Sequence, residues 1–110
     1  MAQRINNFDD FWLFYVREHA NPFNRQLHFI GSSLGLICLL LGITQTNWRF
    51  IPLGLLLGYG FAWVGHFFIE RNKPASFNYP LWSLRGDWKM WALMLRGKMQ
   101  SEVERAMHAA

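Results

Sequence analysis

The sequence predicts an all-α membrane protein: a transmembrane helical hairpin of two spanning helices, flanked by N- and C-terminal amphipathic interfacial helices. Two uncharged runs carry this prediction, 23 residues from Gln26 to Trp48 and 20 residues from Phe50 to Ile69, with only Arg49 between them. A spanning helix needs about 20 mostly apolar residues, and each run is long enough to supply them. Because 110 residues are too few for two independent cores, a single membrane domain over residues 1–110 is expected.

The first half of the chain contains two helix starts. Asn7 is a suitable N-cap, and apolar side chains follow it at helical spacing on one face that His19 shares: Phe8, Phe11, Trp12 and Tyr15. Asn21 and Pro22 then end this helix and begin the next, since proline is tolerated in the first helical position. These features predict an interfacial helix over about 7–20 and spanning helices over 22–45 and 50–70.

The second half of the chain predicts a loop and a last helix. Lys73-Pro74 and Tyr79-Pro80 interrupt any helix, so residues 71–87 are expected to form a loop. Asp87 can cap an amphipathic helix over 88–107, whose apolar stripe is formed by Trp88, Trp91, Ala92, Leu95 and Met99. Basic residues opposite that stripe are typical of a helix in the headgroup layer. The alternative is a soluble bundle that buries both uncharged runs, although core helices rarely stay uncharged for so long.

Charge predicts the orientation in the membrane. Of the 11 Lys and Arg residues, 3 precede the first uncharged run, 1 lies between the runs and 7 follow the second. Positive charge favours the cytosolic side, so both termini are expected there, in the inner membrane of a bacterium or the endoplasmic reticulum of a eukaryote.

The basic residues are scattered, which argues against nucleic acid as a partner. No phosphate loop, nucleophile elbow or Cys-x-x-Cys pair is present, which excludes nucleotide kinases, serine hydrolases and thiol-redox enzymes.

Histidines are the residues that could carry chemistry. If the hairpin turns near residue 47, His28 and His66 lie at equal depth, and His19 can fold back towards them across the Asn21-Pro22 corner, with Glu70 nearby. Imidazoles with a carboxylate suit iron, zinc, copper or nickel and can leave open positions for substrate and oxygen. The alternative is that His28 and His66 only form hydrogen bonds at the bilayer edge.

Two pairs of glycines predict close packing of the spanning helices. Gly31 and Gly35 share one side of the first helix, and Gly54 and Gly58 share one side of the second. Small residues four apart let helix backbones approach closely in a membrane. These faces could also drive formation of a homo-oligomer.

Polar and basic residues flank the histidines at the expected cytosolic mouth. Arginine can bind a carboxylate or phosphate through two hydrogen bonds, so we predict that four residues contact a lipid or fatty acid head group: Asn24, Arg25, Arg71 and Lys73. The alternative for the three cations is that they only set membrane topology.

Two stretches of the sequence resemble a known family. The first, residues 14–31, contains Phe14-Tyr15, His19, Asn21-Pro22, Asn24 and His28, and the second, residues 63–77, contains Gly65-His66, Phe68, Glu70 and Lys73-Pro74-Ala75. Together they resemble the signature segments of the membrane-bound, iron-dependent 2-hydroxy fatty acid dioxygenases of fatty acid α-oxidation.

The resemblance implies a ligand set and a reaction. Fe(II) would be held by His19, His28 and His66, with Glu70 as a catalytic carboxylate that is a fourth ligand or lies just outside the ligands. The reaction would remove one carbon from a 2-hydroxy fatty acid with O2, while the acyl chain lies in the bilayer.

One departure from the family leaves alternatives open. A better-known fungal member is longer and has a further histidine between the two segments, where this chain has a six-residue connection, TQTNWR. A reduced ligand set, completion by a second subunit, or a different activity on the same scaffold would each account for this. The other functions considered are a haem protein with His28 and His66 as axial ligands, and a non-catalytic membrane interaction protein.

Overall fold

The computed structural model describes residues 4–109, which are all-α: α1 (Phe8–Arg17), α2 (Pro22–Thr44), α3 (Phe50–Val64), α4 (Pro80–Leu95) and α5 (Met99–His108). A π-helical turn, Gly65–Glu70, continues α3, and a short 3-10 turn covers Ala75–Phe77. Strands are absent from this described part of the chain. The helix Pro22–Thr44 and the continuous helix Phe50–Glu70 are each long and apolar enough to cross a membrane, which confirms the predicted hairpin.

The chain divides into two compact units, and the single membrane domain expected over residues 1–110 stays a prediction. One unit, here called the hairpin unit, comprises Asn21–Pro74, and the other, the flanking unit, combines the residues up to Ala20 with those from Ala75 onward. Residues 1–3 and 110 lie outside the described part of the chain.

Glycines bring α2 and α3 of the hairpin unit into close contact. A side-chain carbon on Gly31 would lie 3.1 Å from the carbonyl oxygen of Gly58, and one on Gly35 would lie 3.2 Å from that of Gly54. A side chain at either glycine would force the facing backbone to move by a few tenths of an ångström, so the predicted close packing is confirmed within one chain. A homo-oligomer formed through the same faces stays a prediction, and it would require the hairpin to open.

The outer surface of the hairpin unit is apolar. Large hydrophobic side chains point away from the helix contact, and some are more than half exposed: Ile37, Leu40, Ile43, Leu55 and Leu56. Soluble proteins rarely expose continuous apolar surface of this kind, whereas lipid-facing helices require it. The exposed faces therefore fit a hairpin surrounded by lipid.

The flanking unit is built around α1. The side chain of Asn7 accepts a hydrogen bond from the backbone N–H of Asp10 at 2.9 Å, which confirms the predicted N-cap. The indole N–H of Trp12 donates to Glu102 at 2.7 Å and ties α1 to α5. The buried core of this unit includes Phe11, Trp12, Tyr15, Val16, Met90 and Met99.

The predicted loop over 71–87 is wrong from Pro80 onward. Pro80 is the first residue of α4, a position in which its missing N–H costs nothing. Asp87 consequently lies inside α4 instead of capping a helix, and it accepts a hydrogen bond from the Tyr15 hydroxyl. The exposed residues Leu81 and Leu84 extend the apolar face of this helix, which fits the predicted interfacial position.

The single last helix predicted over 88–107 is two helices. Gly97 has φ +70, a left-handed conformation that glycine adopts readily. Its N–H donates to the carbonyl of Met94 and the N–H of Lys98 donates to that of Leu93, at 3.1 and 2.8 Å. This pair of hydrogen bonds is the Schellman arrangement that ends helices, so α4 stops at Leu95 and α5 begins at Met99.

Candidate functional site

The hairpin unit brings His28 and His66 together. His28 lies in α2 and His66 in the π-helical turn after α3, and their side chains are 5% and 2% exposed. The ring centroids are 4.9 Å apart and the rings meet edge to face. A ring nitrogen of each lies within 4.8 Å of one on the other, so the two side chains are close enough to be candidate ligands of one metal ion.

Both rings are oriented through Nδ1. His28 Nδ1 is 3.0 Å from the backbone carbonyl of Asn24, and His66 Nδ1 is 2.7 Å from the amide oxygen of Asn72. Carbonyl and amide oxygens only accept hydrogen bonds, so these contacts favour the tautomer with the proton on Nδ1 in each ring. The neutral ring then carries its lone pair on Nε2, as metal-ligating histidines with such outer partners do.

His19 has the same arrangement in the flanking unit. It is 1% exposed, and its Nδ1 donates to the backbone carbonyl of Tyr15 at 2.6 Å. The Tyr15 ring stacks on the imidazole with centroids 4.0 Å apart. The proton is again on Nδ1 and the lone pair on Nε2. Along the chain only Ala20 separates His19 from Asn21, the first residue of the hairpin unit.

Tyr15 is itself held by a buried carboxyl group. Its hydroxyl donates to Asp87, and the ring lies against Gly86. Burial, and then the neighbouring Asp87 carboxylate, raise the pKa of Tyr15 well above its ordinary value, so Tyr15 stays protonated as a donor. Burial raises the pKa of Asp87 to about 6, against the opposing effect of the hydrogen bond from Tyr15.

Glu70 connects the end of the second spanning helix to the start of the first. Its Oε2 accepts a hydrogen bond from the backbone N–H of Asn21 at 2.8 Å and another from the side-chain amide of Asn24 at 3.2 Å. A carboxylate is favourable at this point because the N-terminus of a helix carries partial positive charge. The contacts show a carboxylate that holds the first turn of α2. Its predicted catalytic role stays a prediction.

Asn24 is packed against Gly65. Asn24 is fully buried, and its Oδ1 has no hydrogen-bond partner among the described residues. A side-chain carbon on Gly65 would lie 1.8 Å from this oxygen, so only glycine can precede His66 while Asn24 keeps its position. Asn24 therefore has three contacts in the site. Its backbone carbonyl orients His28, its side-chain amide donates to Glu70, and its Oδ1 packs against Gly65, the residue before His66.

The four predicted head-group residues divide into two pairs. Asn24 and Arg25 are buried, whereas Arg71 and Lys73 are exposed and line a shallow groove of about 560 Å³. Phe67, Phe68 and Asn72 complete the groove. Two cations beside two aromatic rings are suited to an anionic group attached to an apolar chain. His108 is exposed in α5, outside this groove.

The sequence analysis does not predict that Tyr15 and Asn72 orient histidine rings. Tyr15 lies four residues before His19, a spacing that places its carbonyl over the imidazole of the next turn, so helical periodicity could have indicated its role. Asn72 lies six residues after His66, and no regular helix would bring the two side chains together. The π-helical turn and the residue after it create this contact, and neither has a recognised sequence signal.

His28 and His66, both in the hairpin unit, are a pair of side chains that could hold a metal ion, whereas His19, in the flanking unit, stays a predicted ligand. Each is buried, and each donates from Nδ1 to an oxygen that can only accept. This is the protonation state that a ligand bound through Nε2 needs, so the donor chemistry fits a transition metal.

Comparison with known proteins adds one finding. Residues 5–99 match the model of a family described as 2-hydroxy-palmitic acid dioxygenase Mpo1-like. The matched range includes His19, His28, His66 and the groove with Arg71 and Lys73. No curated protein and no solved structure matches the chain significantly.

Proposed function

Since the chain belongs to the Mpo1-like family of 2-hydroxy-palmitic acid dioxygenases, we propose that it is an Fe(II)-dependent dioxygenase that shortens 2-hydroxy fatty acids by one carbon. The observation that carries the proposal is the buried pair of His28 and His66, each protonated on Nδ1 and each within the matched range. Two neutral imidazoles buried this close together are costly in a membrane unless they serve a ligand or a reaction.

The proposed ligands are His19, His28 and His66. His19 is included because the family resemblance implies it as a ligand and because it lies within the range that matches the family model. The iron would supply a redox-active centre with open positions for dioxygen and for the hydroxyl and carboxylate of the substrate. The chain's own contribution would be to orient the imidazoles through their Nδ1 hydrogen bonds, with Nε2 as the ligand atom.

The overall reaction balances without a further reductant. One 2-hydroxy acid and one O2 would give the acid shorter by one carbon, carbon dioxide and water. The hydroxyl-bearing carbon loses three electrons on becoming a carboxyl carbon, and the original carboxyl carbon loses one on becoming carbon dioxide. Dioxygen takes up these four electrons, which agrees with the lack of any nucleotide-binding motif in the sequence.

The groove beside His66 would bind the substrate carboxylate or its lipid environment. Arg71 and Lys73 offer positive charge, and Phe67 and Phe68 offer apolar contact for the first carbons of the chain. The remaining acyl chain would lie along the exposed apolar faces of the hairpin. In this arrangement the reactive end of the substrate stays at the membrane surface, with both termini of the protein in the cytosol.

Glu70 is proposed to act through Asn21 and Asn24 rather than on substrate. By accepting from the backbone N–H of Asn21, it fixes the chain two residues after His19. By accepting from Asn24, it fixes the residue whose carbonyl orients His28. One carboxylate would therefore hold both the start of α2 and the residue that orients His28.

The haem alternative finds no support in the geometry. Axial histidines lie on opposite faces of a macrocycle that must fit between them. Here the helices around His28 are in backbone contact, with the space beside Gly31 filled by Phe61 and the carbonyl of Gly58. A haem-loaded protein would show a Soret band, and we expect none after reconstitution with haem.

The proposal is tested by turnover. Detergent-purified protein loaded anaerobically with Fe(II) is supplied with 2-hydroxypalmitate and O2, while oxygen uptake is recorded and products are identified by mass spectrometry. We expect one equivalent of the acid shorter by one carbon for each O2 consumed, and no uptake with unsubstituted palmitate. Iron-loaded protein that consumes no oxygen with any 2-hydroxy acid would contradict the proposal.

A further inference from the structure

Asn72 contacts His66 at two points. The backbone N–H of Asn72 donates to the carbonyl of His66 at 2.9 Å, and its side-chain Oδ1 accepts from Nδ1 of the same residue at 2.7 Å. The backbone of Asn72 therefore contacts the backbone of His66, and the side chain of Asn72 contacts the His66 ring. The backbone hydrogen bond keeps Asn72 close to His66, and the side-chain contact holds the ring.

An unusual backbone conformation makes this contact possible. Arg71, between the π-helical turn and Asn72, has φ 59 and ψ 45, the left-handed region that residues with a side chain seldom adopt. Such a conformation is unfavourable in residues other than glycine, because Cβ then lies close to the backbone carbonyl oxygen. π-helical turns are themselves frequent at functional sites. The chain thus adopts two uncommon local structures in succession to bring Asn72 back onto His66.

The Nδ1 partner of His66 differs in kind from those of the other two histidines. His19, in the turn after α1, and His28, in α2, donate to backbone carbonyls four residues earlier in the chain. Any residue at those positions supplies the same carbonyl. The ring of His66 depends on a side chain, so its orientation can be changed by substituting one residue.

We infer that Asn72 is a positioning residue that fixes the Nδ1–H tautomer and the ring orientation of His66. A neutral imidazole without such a partner can carry its proton on either nitrogen, and the form protonated on Nε2 cannot bind a metal through that atom. Asn72 therefore increases the affinity of the site for metal. Only this consequence for metal binding rests on the proposed function, because the tautomer is a property of the metal-free protein.

The test uses substitutions that separate the acceptor from the bulk of the side chain. Asn72→Leu removes the acceptor at similar volume, Asn72→Asp keeps an oxygen in its place, and Asn78→Leu changes an exposed asparagine as the control. Nitrogen-15 spectra of metal-free protein at about pH 8, where the ring is neutral, identify the protonated nitrogen of His66. Equilibrium titration with Fe(II) under anaerobic conditions gives the affinity.

We expect Nδ1 to be protonated in the wild type and in Asn72→Asp, and a mixture of both forms in Asn72→Leu. The affinity for Fe(II) should fall about 10- to 100-fold in Asn72→Leu, as for other outer partners of ligating histidines, and stay near the wild-type value in Asn72→Asp and Asn78→Leu. An unchanged tautomer and an unchanged affinity in Asn72→Leu would overturn the inference.

Two further outcomes keep the inference separate from the proposed function. A wild-type spectrum with the proton on Nε2 overturns the inference even if the leucine variant fails to fold. If the wild type binds no Fe(II) while its tautomer responds to Asn72 as expected, the iron proposal fails and the orienting role of Asn72 is supported.

Discussion

His28 in α2 and His66 in the π-helical turn after α3 meet edge to face, with ring centroids 4.9 Å apart. Each ring is held from behind by an oxygen that accepts from Nδ1, the backbone carbonyl of Asn24 for His28 and the side chain of Asn72 for His66. Two separate helices thus present imidazoles in one tautomer to a common space. Most of what can be tested about this protein concerns the groups that keep these rings in place.

Replacing Gly65 by alanine should displace Asn24. The added carbon would lie 1.8 Å from Asn24 Oδ1, so the amide must move away from Glu70 and from the first turn of α2. Overpacking of this kind costs about 1–3 kcal/mol, and we expect a lower unfolding temperature in detergent together with weaker metal binding.

Gly60→Ala is the matched control, since nothing lies within 4 Å of the added carbon and the residue is in the same helix. It should leave stability unchanged or raise it by about 0.5–1 kcal/mol. Equal losses in the two alanine variants would show that the contact with Asn24 is not responsible.

Glutamine at position 70 should be tolerated better than alanine. Glu70→Gln keeps an oxygen that can accept from the backbone of Asn21 and the amide of Asn24, whereas Glu70→Ala removes both contacts. Loss of such outer contacts lowers metal affinity by about 10- to 100-fold, so we expect that loss in the alanine variant and less than about a tenfold loss in the glutamine variant.

Fe(II) titration of both variants, with the exposed Glu104→Ala as the control, gives the comparison. A glutamine variant that binds iron normally and yet has no turnover would show that the negative charge itself is required. In that case Glu70 would be catalytic rather than positioning.

Neutralising the groove should weaken substrate binding without affecting iron. Arg71 and Lys73 are exposed, and exposed charge contacts contribute about 0.2–1 kcal/mol each. We therefore expect the double change Arg71→Gln and Lys73→Gln to raise KM for a 2-hydroxy fatty acid about fivefold, with a difference that shrinks as salt is added.

The double change Arg96→Gln and Lys98→Gln neutralises two other exposed cations that do not line the groove. It should leave KM unchanged. The same increase in KM from both double variants would point to general attraction of the anionic substrate to a basic protein, and not to binding in the groove.

Asp87 should make stability depend on pH in the range from about 4 to 6. Because burial raises the pKa of its carboxyl group from 3.8 to about 6, the folded protein binds a proton more tightly than the unfolded chain. The resulting stabilisation is fully present below the unfolded value and is lost as pH rises through the folded value. A shift of two pKa units corresponds to roughly 3 kcal/mol.

Asp87→Asn removes this ionisation and keeps an oxygen that can accept from Tyr15. The variant should unfold at a higher temperature than the wild type at about pH 7.5, and the difference should disappear below about pH 4. Glu104→Gln, in an exposed position, serves as the control. A constant difference across the whole range would show that Asp87 acts by packing and not by ionisation.

The hairpin and the depth of its histidines were predictable from the sequence. Two uncharged runs separated by Arg49 fix both helices and their turn, and equal distances from that turn place His28 level with His66. The glycine pairs predict the close approach because no other residue leaves room for it. These features depend on composition and period, which are local properties of the chain.

The sequence predicts helix boundaries wrongly where the same residue type can either begin or end a helix. Pro80 was expected to break a helix and instead begins one, because its role depends on whether the residues after it can pack as a helix against α1. Gly97 was overlooked inside an amphipathic pattern that continues on both sides of it. The contact between Asn72 and His66 needs a π-helical turn and a left-handed Arg71, and neither follows from the periodicity of the sequence.

The iron content of the purified protein tests the central claim most directly. Wild-type protein, prepared anaerobically without chelators, is compared with His19→Ala, His28→Ala and His66→Ala, and with His108→Ala as the control because His108 is exposed. We expect about one Fe(II) per chain in the wild type and in the His108 variant, and a large loss in each of the other three. Well-folded wild-type protein that binds no iron after anaerobic addition, or a His66→Ala variant that keeps its full complement, would contradict the account.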